Sequence, residues 1–151
     1  MAYIAGFLDG DGSLMLQVKK RKDGVSKKRI MATICLYQDS RHEKTLHWIR
    51  TVFSIGYLSR RNDGMSELRI NGFEQVNKIL MLLSPFIRFK KLQAQALLKA
   101  TRMLSEKRLH DFRPNELQKL IDCILIIQRN NYTSRKKRTR EEFMKILDLT
   151  P

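Results

Sequence analysis

Near its N-terminus the chain carries two aspartates two residues apart, each followed by a glycine: Asp9-Gly10-Asp11-Gly12. Residues 2 to 9, Ala-Tyr-Ile-Ala-Gly-Phe-Leu-Asp, are mostly apolar and unbroken by a turn sequence, which predicts a short helix running into the acidic pair. Negative charge then falls where a helix already presents orphan carbonyls and the negative end of its dipole, an unfavourable arrangement unless a cation is bound. The Asp11 carboxylate and the Gly10 carbonyl are hard oxygen donors, a set that suits Mg²⁺ or Mn²⁺. The same four residues also suit a plain tight turn, and turn chemistry alone leaves that reading open. A calcium loop of the EF-hand type starting at Asp9 fails, because its obligatory glycine falls on Leu14 and its closing glutamate on Lys20.

A second kind of chemistry is carried by charge. Among 151 residues there are 30 Lys and Arg against 15 Asp and Glu, a net charge of +15. A compact domain so charged repels itself unless counter-charge is close, which points to a polyanion and first of all to nucleic acid. The cations cluster in Lys19-Lys20-Arg21-Lys22 with Lys27-Lys28-Arg29, in Ser59-Arg60-Arg61, and in the stretch from Ser134 to Arg140. Ser134, Arg135, Lys136, Arg138 and Thr139 have the hydroxyls and cations that hold phosphates. Any one of these runs, taken singly, equally fits a solvated loop.

The elements that must position these groups follow from periodicity. From Ser13 the period becomes two, with Leu14, Leu16 and Val18 on one face and Ser13, Met15, Gln17, Lys19 and Arg21 on the other. After an Asp23-Gly24 turn, Ile30, Ala32, Ile34 and Leu36 alternate with Arg29, Met31, Thr33 and Cys35. A second hairpin is expected over 57–61 and 65–70, with Ser59, Arg61, Glu67 and Arg69 as its polar face. Helical spacing marks the segments around Leu46 to Phe53, Phe73 to Leu83, 92–104, Leu117 to Leu125 and 141–147. The order is α-ββ-α-ββ-α followed by C-terminal helices: an α+β fold of one domain over 1–151, with helices behind an antiparallel sheet and a charged face left open. Side chains alternating along strands all point one way, and a β-ribbon enters the DNA major groove but not the deep, narrow groove of duplex RNA. Double-stranded DNA is the expected partner.

Several classes are excluded. A hydrophobic content of 42% is enough for a packed core and too much for a disordered basic tail. Two cysteines, Cys35 and Cys123, make no disulfide framework and fit a reducing compartment. No apolar run reaches the ~18 residues of a membrane span, and no secretory leader is expected.

The segment Ile4-Ala5-Gly6-Phe7-Leu8-Asp9-Gly10-Asp11-Gly12 resembles the nine-residue signature of the LAGLIDADG homing endonucleases, and the element order and basic strands extend the likeness over nearly the whole chain. The resemblance implies a saddle-shaped DNA-binding sheet and a homodimer whose motif helices pack together. Ala5 and Gly6 then lie at the interface, as does Asp9 unless it serves the helix end. It implies that Asp11 of each subunit binds Mg²⁺ with the Gly10 carbonyl, supported by Gln38 and Lys90. The implied activity is a double-strand break with short 3′ overhangs in a long near-palindromic target, promoting intron homing in an archaeal cytoplasm or an organelle. The same scaffold also serves cleavage-inactive DNA-binding regulators and RNA maturases.

Overall fold

The computed structural model describes residues 1–20, 28–132 and 137–149. Helix α1 spans Ala2–Asp11 and passes without a linker into strand β1, Gly12–Lys20. Gly12 allows this abrupt junction. A Cβ there would sit 2.6 Å from Leu8 Cδ1 and 2.8 Å from the Leu8 carbonyl oxygen, contacts no side chain survives. Strand β2 covers Lys28–Asp39, helix α2 Lys44–Phe53, and strands β3 and β4 Tyr57–Arg60 and Met65–Asn71. Helices α3 (Phe73–Leu83), α4 (Lys91–Glu106), α5 (Pro114–Asn130) and α6 (Arg140–Ile146) follow. The expected order is therefore present, with boundaries within two residues for most elements.

The two hairpins join through their second strands. All pairings are antiparallel and the sheet order is β1-β2-β4-β3, so β2 and β4 lie in the middle. In β1, Leu14, Leu16 and Val18 are buried; so are Ile30, Ala32, Ile34 and Leu36 in β2, and Leu68 and Ile70 in β4. They meet Ile4 and Leu8 of α1, Val76 and Leu80 of α3, Leu97 of α4 and Ile124 of α5 in one continuous core. At ~25 cal/mol per Å² of apolar surface, this burial does most to hold the helices to the sheet.

Among the described residues the helices cover one sheet face. Directly opposed residues of an antiparallel pair share a face, so the register defines the other one: Ser13 faces Cys35, Gln17 faces Met31, Lys19 faces Arg29, Cys35 faces Arg69 and Ser59 faces Glu67. No helix among the described residues is long and apolar enough to cross a membrane.

Candidate active site and nucleic-acid interface

The two aspartates of α1 have different surroundings. Asp9 is 8% exposed. Its Oδ2 accepts the backbone N–H groups of Arg88 at 2.6 Å and Phe89 at 3.2 Å, and its Oδ1 accepts that of Lys90 at 3.0 Å. The Lys90 ammonium donates to the Asp9 main-chain carbonyl. Lys90 is the N-cap of α4, so Asp9 ties the end of one helix to the beginning of another. The cation that the helix terminus calls for is thus partly supplied from within the chain. Asp9 thus serves the helix end and is buried within its own chain.

Asp11, the last residue of α1, is exposed, as is Gly10. Among the described residues no three His, Cys, Asp or Glu side chains converge on a possible metal position. At this point one chain offers a single exposed carboxylate, Asp11, beside the exposed Gly10, so a hard ion here would need further ligands from outside the described residues. Burial holds the Lys90 ammonium below the usual lysine range, opposed by the negative charges of Asp9 and then Asp11. A cleft of ≈ 790 Å³ lined by Asp9, Gly10, Ser13, Phe89 and Lys90 opens from this point along β1. Gln38 stands on β2 two residues past Leu36, the partner of Gly12, which sets it toward the same end of the sheet. Its side-chain oxygen accepts the Asp39 N–H at 2.9 Å; among the described residues no hydrogen bond joins it to Asp11 or Lys90.

On the open sheet face Gln17, Lys19 and Arg29 are exposed, and Ser13, Met15, Met31, Ser59, Glu67 and Arg69 are half-buried. Arg61 follows β3, exposed and paired with Asp63 at 2.7 Å. Other expected contacts are placed elsewhere. Thr33 is 3% exposed and donates to Asn71 at 2.7 Å, so its hydroxyl is used within the sheet. Lys28 has the parity of Ile30, which puts it on the helix side, where it pairs with Asp148. Arg138 donates to the Val18 carbonyl at 3.3 Å and lies over the Phe143 ring, and Thr139 caps α6 through the Glu142 N–H. Both belong to the fold before they belong to a ligand. Arg21, Lys27, Ser134, Arg135 and Lys136 lie outside the described residues. Tyr37, whose hydroxyl meets that of Ser13 at 3.3 Å, and Tyr57, 68% exposed, share this face and were missed, although the alternation that marks Arg29 to Cys35 continues into Tyr37.

The outer surface of α1 is bare. A Cβ built on Gly6 or on Gly10 meets nothing within 4 Å, so neither glycine answers to crowding from this chain. Ala5, expected beside Gly6 at an interface, is instead fully buried in the chain's own core. Flanking this surface are Tyr3, 62% exposed and edge-on to Trp48 with ring centroids 5.6 Å apart, and at the other end Phe89, 85% exposed.

Comparison with known proteins gives concordant results. Residues 4–102 match the profile of the LAGLIDADG endonuclease family. The DNA endonuclease I-CvuI of Chlorella vulgaris is 30% identical over 103 residues, 68% of this chain and 64% of that protein, so the match spans just under two thirds of that relative. The DNA endonuclease I-CreI of Chlamydomonas reinhardtii is 26% identical over 148 residues, 98% of this chain and 88% of the relative. The crystal structure of I-CvuI in complex with its target in the presence of calcium superposes with a TM-score of 0.85 at 24% identity, covering 98% of this chain and 92% of that one. The archaeal intron-encoded homing endonuclease I-Vdi141I, complexed with DNA, gives 0.81 at 19% identity, covering 97% and 93%.

Proposed function

The chain belongs to the LAGLIDADG endonuclease family, and from that membership and the site geometry we propose that it is a site-specific homing endonuclease cutting both strands of duplex DNA as a homodimer with a divalent ion, Mg²⁺ or Mn²⁺. The observation that carries this reading is the division of labour in the motif. Asp9 is consumed inside the chain, whereas Asp11 faces outward beside Gly10, under a basic sheet and next to Lys90.

The bare flank of α1 supports dimerisation. A helical glycine costs about 1 kcal/mol relative to alanine, and among the described residues Gly6 has no neighbour that would justify that cost. A second copy of α1 would, and Tyr3, Trp48 and Phe89 would then leave water. Two copies bring two Asp11 carboxylates together, one for each strand.

Hydrolysis requires a water to attack phosphorus in line with the departing oxygen, forming one P–O bond as the other breaks, and the leaving alkoxide to take up a proton. The Asp11 carboxylate and the Gly10 carbonyl would hold a divalent ion, which when bound would supply positive charge against the phosphoryl oxygens and lower the cost of deprotonating the attacking water. Lys90 places positive charge beside the same phosphate as negative charge develops. Gln38 orients the attacking water through its carboxamide. The open sheet face lies in the major groove, with Gln17, Arg61, Glu67 and Arg69 toward base edges and Lys19 and Arg29 toward phosphates.

The experiment is Asp11→Asn on a plasmid carrying the target. Loss of cleavage in Mg²⁺ with gel-shift affinity retained is the expected result; a variant that still linearises the plasmid refutes the role of Asp11.

A further inference from the structure

At the centre of the open face two side chains of opposite charge stand two residues apart on β4. Arg69 Nη2 donates to Glu67 Oε1 at 2.9 Å. The Ser59 hydroxyl reaches the same oxygen at 3.4 Å, and the Cys35 thiol approaches Oε2 at 3.8 Å. The register makes the cluster: Cys35 opposes Arg69, and Ser59 opposes Glu67. Glu67 is 13% exposed, its partner 38%. Arg69 Nε is buried and has no hydrogen-bond partner among the described residues.

As a device for stability this pair is poor. A pair this far withdrawn from water loses much of its attraction to desolvation, and a buried N–H without an acceptor is costly. The β4 residues that hold the core, Leu68 and Ile70, are on the other face and do not need it. A carboxylate is also misplaced on a surface meant for phosphates, which it repels. Its useful partner on DNA is an amino group, and those project from bases.

We propose that Glu67 and Arg69 act as one unit that reads a G·C base pair in the major groove of each half-site. The inference rests on the nuclease reading above and adds which base pair this part of the sheet selects. A G·C pair shows the N7 and O6 acceptors of guanine next to the N4 amino donor of cytosine. The side chains show the mirror of that pattern: guanidinium donors next to a carboxylate acceptor, already held side by side. An A·T pair sets the adenine amino group against the guanidinium and the thymine O4 acceptor against the carboxylate, so both partners lose. Because the contact between Glu67 and Arg69 exists before DNA arrives, little side-chain freedom remains to be lost on binding.

The test is digestion of a plasmid library with both half-sites randomised by the wild-type chain, Glu67→Gln, Arg69→Ala and Arg69→Lys, followed by sequencing of the cut ends. At one position per half-site the wild type is expected to prefer G·C by about ten- to a hundred-fold, the discrimination of a good paired contact. Arg69→Ala and Arg69→Lys should reduce that preference to less than about threefold while other positions keep theirs, since lysine retains the charge but not the planar fork. Glu67→Gln, close in shape, should admit A·T at the same position. Four indistinguishable preference profiles overturn the inference and leave the nuclease reading standing. If the wild type cuts nothing, the nuclease reading falls, and selection of bound molecules from the same library applies the same criterion to Glu67 and Arg69.

Discussion

One motif supplies two carboxylates with separate tasks, and substitution should separate them. Asp9→Ala removes a buried acceptor of three N–H groups and leaves Lys90 facing a helix end without its strut; with charge-assisted bonds at 1.5–3 kcal/mol each and partial compensation by water, a loss of about 3 kcal/mol is expected in chemical denaturation. Asp11→Ala, at an exposed position, should leave that transition in place. The lowered Lys90 ammonium gives a pH signature. If its positive charge aids cleavage, the rate falls as pH rises through its depressed titration, and Lys90→Arg moves that fall to higher pH because guanidinium stays charged. A pH–rate profile in which both proteins decline together refutes the role. The acidic turn was legible in sequence as a feature in need of a cation. The answer for Asp9 was not, because it lies 79 to 81 residues away in Arg88, Phe89 and Lys90, and no local pattern encodes a contact of that separation.

Strand faces were readable because burial follows alternation, yet alternation says which side a residue takes and not which strand lies beside it. Hence the β2–β4 pairing had no sequence signal. Lys28 shows the converse: its charge groups it with the basic cluster expected at nucleic acid, whereas its parity with Ile30 puts it on the helix side, where it pairs with Asp148. Helix α1 is too short for its apolar positions to separate an inner side from an outer one, so Ala5 and Gly6 looked equivalent although one is buried and the other bare. Gly6→Leu should therefore fold as the wild type does yet elute as a monomer in sizing with light scattering and lose double-strand cleavage; a dimeric, active variant refutes the interface. Helix α2 is fastened to the second hairpin by Glu43, which accepts from Arg60 at 2.6 Å and from the Ser66 hydroxyl at 2.6 Å. Arg60 first, then Ser66, lowers the Glu43 carboxyl from 4.5 to about 2. A depressed carboxylate stabilises the fold above its unfolded value, and this contribution disappears as pH falls from about 4.5 toward about 2. Glu43→Gln should flatten that part of the stability curve, as thermal melts across the interval will show.

At the scale of the whole molecule, a net charge of +15 makes affinity a matter of ionic strength. Each phosphate contact contributes roughly −0.9 to the slope of log K against log salt, so Lys19→Ala should flatten that slope by about one contact for every DNA sequence tested. Gln17→Ala should leave the slope and relax preference at one base pair per half-site. Equal behaviour of the two variants in salt titrations refutes the division between phosphate and base contacts.

Strand β1 is a sheet edge, and its outward carbonyls at Leu14 and Val18 accept from the Asn131 carboxamide at 2.9 Å and the Arg138 guanidinium at 3.3 Å. At the opposite edge β3 has only four residues and carries Arg60. Neither border invites another chain to extend the ladder, a route by which proteins with open sheets polymerise. Fibre-like growth through the sheet is thereby disfavoured, which leaves the α1 surface free for the proposed contact between two copies. For the proposed dimer, the alternatives to pairing are thus shut off at the margins of the sheet.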